Sequence, residues 1–483
     1  MLRSTTRCAL FGGAWLAVAM PLAAEEASAG KDVPLAAASS APEPGGSAAV
    51  PRRLTLAAAI AFAREHHPAV RAALARIRER QLETRIPRSA WYPVAGASAQ
   101  IFAATANNTT GTYVSPGVFD IPRIGGTRSV ADARLAPYPA TFVGVGALQE
   151  LFDFGRIAAE SALADASVRV ERERAQADLL AVTYDVEEAY FAVYAAEAVA
   201  RACDEAYERA RVHRELAAAG VRSGLRPPIE LTRADADLAR FDLGRVRAAG
   251  GVTTAQLVFA AAAAVPDERL DIAETPPAPR DLPPLDAAIR EALGRDPELL
   301  ATMRELQAEE ARTRAIAAEL RPNLTLSATV SGRAGGAPPS GNGELPVGNG
   351  WIPAVPNWDV GVVLSVPLFD ATVNARTAAS RAREDVGREQ VSVVRERELA
   401  TIRRGYVSVE VARAALPGLG RAVEAAHANY AQADARFRSG LGTSVELADA
   451  EELRAAAEIQ LALGQFELAR ARAAFGRAIA EGI

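Results

Sequence analysis

Val143-Gly-Val-Gly-Ala-Leu-Gln-Glu-Leu-Phe-Asp153 and Val360-Gly-Val-Val-Leu-Ser-Val-Pro-Leu-Phe-Asp370 are two versions of one segment, 217 residues apart (143 to 360). Each opens with alternating residues: Val143, Val145 and Ala147, then Val360, Val362, Leu364 and Val366, with Gly144, Gly146, Gly361 and Ser365 between them. Period two places successive side chains on opposite faces of a strand. Each then meets Leu-Phe-Asp and gives way to a long run rich in Ala, Glu and Arg. The aspartates Asp153 and Asp370 stand where an N-cap carboxylate satisfies the free N–H groups of a helix start.

The repeat extends outward. Leu56-Ala-Ala-Ala-Ile60 with Pro68 aligns with Leu285-Asp-Ala-Ala-Ile289 and Pro297 at an offset of 229 (60 to 289, 68 to 297), which holds from Pro93 to Pro322. Tyr190 aligns with Tyr406, and Arg222-Ser-Gly-Leu225 with Arg438-Ser-Gly-Leu441, at an offset of 216. The offset falls mainly between the two strands of each unit, so the variable part is their connecting loop, as expected of a surface feature. Each unit reads helix, strand, long loop, strand, very long helix, turn, helix. Phe154 to Ala219 contains no proline and only Gly155. As one helix it reaches ~100 Å at 1.5 Å per residue. The second copy is interrupted by Pro417, Gly418 and Gly420, where a kink or break is expected.

After Pro322, Leu324, Leu326, Ala328 and Val330 alternate with Asn323, Thr325, Ser327 and Thr329; Ala95, Ala97, Ala99 and Ile101 do so in the first unit. Apolar-out, polar-in segments of about ten residues are the mark of a membrane barrel, although a half-buried soluble strand has the same pattern. Trp91, Tyr92, Phe102, Tyr138, Phe142, Phe152, Trp358 and Phe369 stand at strand ends, where interfacial aromatic girdles or ordinary strand-end packing would place them. Four strands cannot close a useful barrel, so if they span a membrane, copies of the chain must share one; three copies would give twelve strands.

At the start, Arg3 and Arg7 precede an apolar run from Cys8 to Met20, followed by small residues with cleavage after Ala24 or after Ala29. That is the layout of a secretory signal. The expected organisation is a signal over 1–29, a flexible Ala, Ser, Pro and Gly-rich lead over 30–53, a first repeat over 54–264, a linker with six prolines over 265–284, and a second repeat over 285–483. No cysteine follows the apolar run, which argues against a lipid anchor, and Cys203 alone forms no intrachain disulfide. A net charge of −5 with Lys31 as the one lysine implies no nucleic-acid partner. Mean hydropathy is near neutral, and no mature segment reaches the ~20 apolar residues of a spanning helix. His66, His67, His213 and His427 lack metal-ligand spacing, and no Walker loop, catalytic triad or dinucleotide fingerprint appears, so neither a cofactor nor an enzyme activity is expected.

These pieces, from Leu54-Thr-Leu-x-x-Ala-Ile60 with His67-Pro68, through Leu151-Phe-Asp-Phe-Gly-Arg156 and Leu368-Phe369-Asp370, to the two Arg-Ser-Gly-Leu tips, resemble the TolC family of outer-membrane efflux proteins. The resemblance implies an α+β membrane protein, with a long α-helical barrel and four strands per protomer in a shared twelve-stranded barrel. It implies a homotrimer in outer-membrane lipid, with its helices in the periplasm. Such a duct serves a tripartite pump or type I secretion system, with a periplasmic adaptor and an RND or ABC inner-membrane transporter. It makes Arg222, Ser223, Gly224, Leu225, Arg438, Ser439, Gly440 and Leu441 adaptor-docking tips. Glu230, Glu446 and Asp449 become an acidic ring at the constricted periplasmic end, since three inward carboxylates select cations. The plainer reading is that first-turn acids complement a helix N-terminus. Arg233 stands where Asp449 stands in the other copy. The competing reading is a periplasmic adaptor, which also carries a long helical hairpin but not two strand–loop–strand segments.

Overall fold

A computed structural model of the chain describes residues 53–104, 138–265, 269–273, 282–334, 352 and 355–481. The proposed signal, most of the lead, parts of the linker, and the strand loops carrying Asn107-Asn-Thr-Thr110 and most of Gly332–Gly350 lie outside them. The elements are β1 (Arg53–Leu54), α1 (Leu56–His66), α2 (Pro68–Glu83), α3 (Arg85–Ser89), β2 (Val94–Ala104), β3 (Tyr138–Phe152), α4 (Arg156–Arg222) and α5 (Pro228–Ala262). Next come β4 (Asp271–Ile272), α6 (Leu285–Arg295), α7 (Pro297–Ala318), β5 (Asn323–Ala334), β6 (Val355–Ser365), α8 (Ala371–Arg438) and α9 (Ser444–Ala478).

Proline position divides the leading helix of each copy. Pro68 and Pro297 lack the N–H that an interior position must donate, so each begins a helix instead. Asp296 caps α7 through the Leu299 N–H at 2.7 Å, and His67 caps α2 by accepting from the Ala69 N–H at 3.2 Å. The end of the lead and part of the linker pair: β1 and β4 run parallel, with Arg53 opposite Asp271 and their side chains 3.1 Å apart.

The long helices span 67 residues in α4 and 68 in α8. Contrary to the break expected at Pro417, α8 continues as one helix through it. Pro417 is exposed, so the helical hydrogen bond it cannot make is lost on the solvent side, where water satisfies a carbonyl. Leu416 and Leu419 on either side meet Gly464 of α9, whose missing side chain lets the two helices approach.

Both predicted aspartates cap, in different ways. Asp370 accepts from the Thr372 and Val373 N–H groups at 2.7 and 3.1 Å. Asp153 is buried and sits two residues before the N-cap Gly155, accepting from the Gly155 N–H at 3.0 Å and from that of Ile157. The chain turns there through Phe154 (φ 53°) and Gly155 (φ 91°), and Arg321 donates to the Phe154 carbonyl at 3.1 Å. Asp153→Ala leaves two N–H groups unpaired, one of them buried, and is expected to cost about 2 kcal/mol; exposed Asp370→Ala should cost about 1. Thermal melting of the detergent-purified protein checks this, and equal losses would contradict the burial difference.

The four long strands form one antiparallel sheet in the order β2-β3-β5-β6. The pairing of β3 with β5 joins the copies, with Val145 opposite Val330 and Ala147 opposite Ala328. Side chains are inverted relative to a soluble sheet. Ile101, Val143, Val145, Val330, Val360, Val362 and Leu364 are exposed, whereas Ser327, Thr329 and Ser331 are buried on the opposite face. Trp91, Tyr92, Phe152, Trp358 and Phe369 are exposed as a girdle requires. Phe142 departs from that expectation. It is 3 % exposed, on the inner face, in space left by Gly144, where a Cβ would lie 2.9 Å from its ring. The side chains of Phe102 and Tyr138 lie outside the described residues.

Candidate functional site: the hairpin tips

Far from the sheet, each long helix ends in the same turn. Ser223 and Ser439 are the C-caps, and Gly224 and Gly440 follow at φ +70° and +79°. The Leu225 N–H reaches the Gly220 carbonyl and the Leu441 N–H the Arg436 carbonyl, both at 2.9 Å. The Gly224 N–H reaches Val221 and the Gly440 N–H reaches Phe437, both at 3.1 Å. This pair of bonds closes a helix on a left-handed residue, the position glycine fills without steric cost. The returning helices start as the residues dictate: Pro227 and Pro228 open α5, and the Thr443 hydroxyl accepts from the Glu446 N–H at 3.2 Å to open α9. Arg222, Leu225, Arg438 and Leu441 remain exposed, with Leu225 and Leu441 84 % and 77 % accessible.

The three acids differ. Glu230 is half-buried, with its carboxylate 3.5 Å from the Arg226 guanidinium. Glu446 is exposed, 3.6 Å from Arg436. Asp449 is exposed, and its side chain has no hydrogen bond or ion pair among the described residues. Its counterpart Arg233 is exposed too.

Sequence reading missed the residues that tie the tips together. Arg226 donates from Nη2 to the Phe437 carbonyl at 2.7 Å and lies 3.6 Å from the Phe437 ring centroid. Its stem covers Gly220, where a Cβ would meet Arg226 Cδ at 2.8 Å. On the same aromatic ring, His213 packs edge-on at 4.5 Å between centroids. A signal was present: at the 216 offset Arg226 faces Gly442, His213 faces Asn429 and Phe437 faces Val221. The latch is therefore built once per chain, from two residues of one copy and one of the other.

Roughly one helical turn above, Arg209 of α4 grips Glu451 of α9 through Nε at 2.9 and 3.0 Å. Burial pushes the Glu451 carboxyl up to about 7, against the pull of Arg209. Glu458 of α9 accepts from Arg454 at 3.0 Å and meets His427 of α8 at 2.6 Å. The other histidines are local: His66 stacks on Phe62, and His67 is the α2 cap.

Comparison with known proteins agrees with this architecture. Solved structures of similar fold include the outer-membrane channel OprN (22% identity, 88% of this chain and 90% of that one, TM-score 0.67). Others are the CmeC outer membrane channel of Campylobacter jejuni (14%, 89% and 86%, TM-score 0.69) and the outer membrane protein VceC of Vibrio cholerae (18%, 88% and 95%, TM-score 0.66). No curated protein sequence matches the chain. The family model described as outer membrane efflux protein matches twice, over 59–264 and 288–481, once on each copy of the repeat. A periplasmic adaptor does not carry that duplication; the chain belongs to the outer membrane efflux protein family.

Proposed function

We propose that three copies of this chain close into one duct through the outer membrane and periplasm. It forms the exit of a tripartite efflux pump or type I secretion system and receives substrate from an adaptor and an inner-membrane transporter. One observation carries the reading: every tier of the protomer ends on the same two edges. The sheet ends on β2 and β6. Near the sheet the helices pack in the order α2, α4, α7, α8, and toward the tips α5, α4, α9, α8. An arc with unpaired strands and uncovered apolar helix faces at both ends is completed by copies of itself. Leu74, Leu82 and Ile86 are exposed on one edge, and Val386, Val393, Val407 and Val411 on the other.

The repeat supplies the register of that seam. Glu173 of α4 and Arg304 of α7 lie 3.5 Å apart within the chain. Their counterparts by the repeat offsets are Glu389 of α8 and Ala75 of α2 in the next copy, which sets Glu389 between the exposed Arg71 and Arg78. Cysteines at 75 and 389, in a chain carrying Cys203→Ser, are expected to crosslink protomers into a covalent trimer in outer-membrane vesicles. Fractionation as a soluble periplasmic monomer would end the channel reading.

The exposed tips serve as the adaptor-docking end, with Glu446 and Asp449 as the acidic ring and Glu230 held back by Arg226. Glu446→Ala with Asp449→Ala should lower cation selectivity severalfold in planar bilayers, because charged rings set the sign of the permeant ion. Unchanged reversal potentials would leave both acids as helix-start residues.

A further inference from the structure

His213 is the one histidine placed against the contact that joins the two hairpin tips. It is 9 % exposed, and its Nε2 has no hydrogen-bond partner. A buried imidazole without a partner is held neutral, since charging it in low dielectric costs free energy. Burial accordingly pushes its pKa down. Its surroundings carry both signs. From α5, Asp237 and Glu230 favour the proton, as does Asp434 of α8; Arg226 of the connecting turn opposes it. On its own helix, Arg209 is engaged with Glu451 and Arg214 with Asp235.

The geometry makes the proton consequential. The Phe437 ring is shared: the Arg226 guanidinium lies 3.6 Å from its centroid and the His213 ring packs on its edge. Neutral His213 presents no competing charge. Imidazolium would put a buried cation beside the half-buried Arg226, on the aromatic side chain whose carbonyl Arg226 also holds. Separation of the hairpins would give His213 water and Phe437 solvent, and remove that conflict.

We propose that His213 is a proton sensor for the periplasmic end of the duct, and that its protonation releases the Arg226–Phe437 latch and opens the tips. This rests on reading the tips as the closed end of the channel. The sign follows from linkage. His213 binds its proton more weakly in the latched state than at the ~6.5 of a solvated histidine, so falling pH favours the unlatched state. Each sensor shifts the unlatched-to-latched ratio by up to about tenfold per pH unit below ~6.5, until the latched form itself titrates. Glu451 responds with the opposite sign, because its raised pKa makes the packed state the better proton binder below about 7. A His213 variant therefore has to be compared with the parent at each pH, so that the Glu451 contribution is common to both.

The test is the conductance of the full-length trimer in planar bilayers between pH 7.5 and 5.5, for the parent, His213→Asn and His427→Asn. Expected is a parent-to-His213→Asn ratio of open fractions that rises severalfold between pH 7.5 and 5.5, and a parent-to-His427→Asn ratio that stays constant. A pH response identical in His213→Asn and the parent overturns the sensor while leaving the channel intact. Absence of conductance in every sample at every pH counts instead against the channel reading. If His213→Asn fails to assemble, the Glu451→Gln channel, which lacks the opposing titration, decides through hydroxyl-radical oxidation and peptide mass mapping. Oxidation of Phe437, 2 % exposed in the latched tips, should rise severalfold between pH 7.5 and 5.5. Unchanged oxidation refutes the sensor.

Discussion

Arg226→Ala is expected to hold the duct open, with a rise in open fraction near a hundredfold at neutral pH. The side chain supplies a charge-assisted hydrogen bond to the Phe437 carbonyl at 2.7 Å and a guanidinium face against its ring at 3.6 Å. Removing a hydrogen bond from a charged donor costs about 1.5–3 kcal/mol, and a partly desolvated cation–π contact adds about 1–2. Taken together as about 3 kcal/mol, this corresponds to roughly two orders of magnitude in an equilibrium constant. The substitution also releases Glu230, so the open channel should be more cation-selective than the parent. Arg226→Lys keeps the charge but loses the flat fork that stacks and hydrogen-bonds together, and should fall between the two. Single-channel recordings decide the matter: a parental open fraction in Arg226→Ala would mean the tips are held by other contacts.

The second large effect concerns the sheet. Val360 lies near the middle of β6, on the outward face, 61 % exposed. Arginine there meets hydrocarbon at a cost of about 2–4 kcal/mol per chain, incurred three times in a trimer. Val360→Arg should therefore abolish most of the outer-membrane trimer. Ser98, half-buried between exposed Ala97 and Ala99 on β2, faces the opposite way. Ser98→Lys should assemble normally and alter only selectivity, as lumen changes do. The yield of trimer in outer-membrane fractions separates the two, and similar yields for both variants would contradict the assignment of faces.

Much of this architecture was legible without coordinates, because it rests on periodicity and on backbone chemistry that acts locally. Alternation over Leu324–Val330 marks a strand with one apolar face wherever that strand sits. Proline at 68 and 297 sets helix starts, since a missing N–H and a fixed φ act at the residue itself. Gly224 and Gly440 end the long helices for an equally local reason, a left-handed turn. Duplication fixed the order of elements twice over. The same local reasoning failed at Pro417, where long-range packing through Leu416, Leu419 and Gly464 accompanies a helix that continues through a residue which usually ends one. It failed at Phe142 as well, since aromatic character at a strand end does not reveal which face has room for a ring.

The tips show the division most clearly. Two equivalent turns, each capped and followed by an acidic helix start, can be read from the residues alone, because capping involves neighbours a few residues apart. The convergence of Arg226 and His213 of the first copy on Phe437 of the second, 211 and 224 residues away (226 and 213 to 437), is visible in the packed fold alone. No periodicity encodes such a meeting. It arises where four long helices pack side by side, and there a buried histidine and a stacked arginine acquire their chemistry from residues remote in the chain.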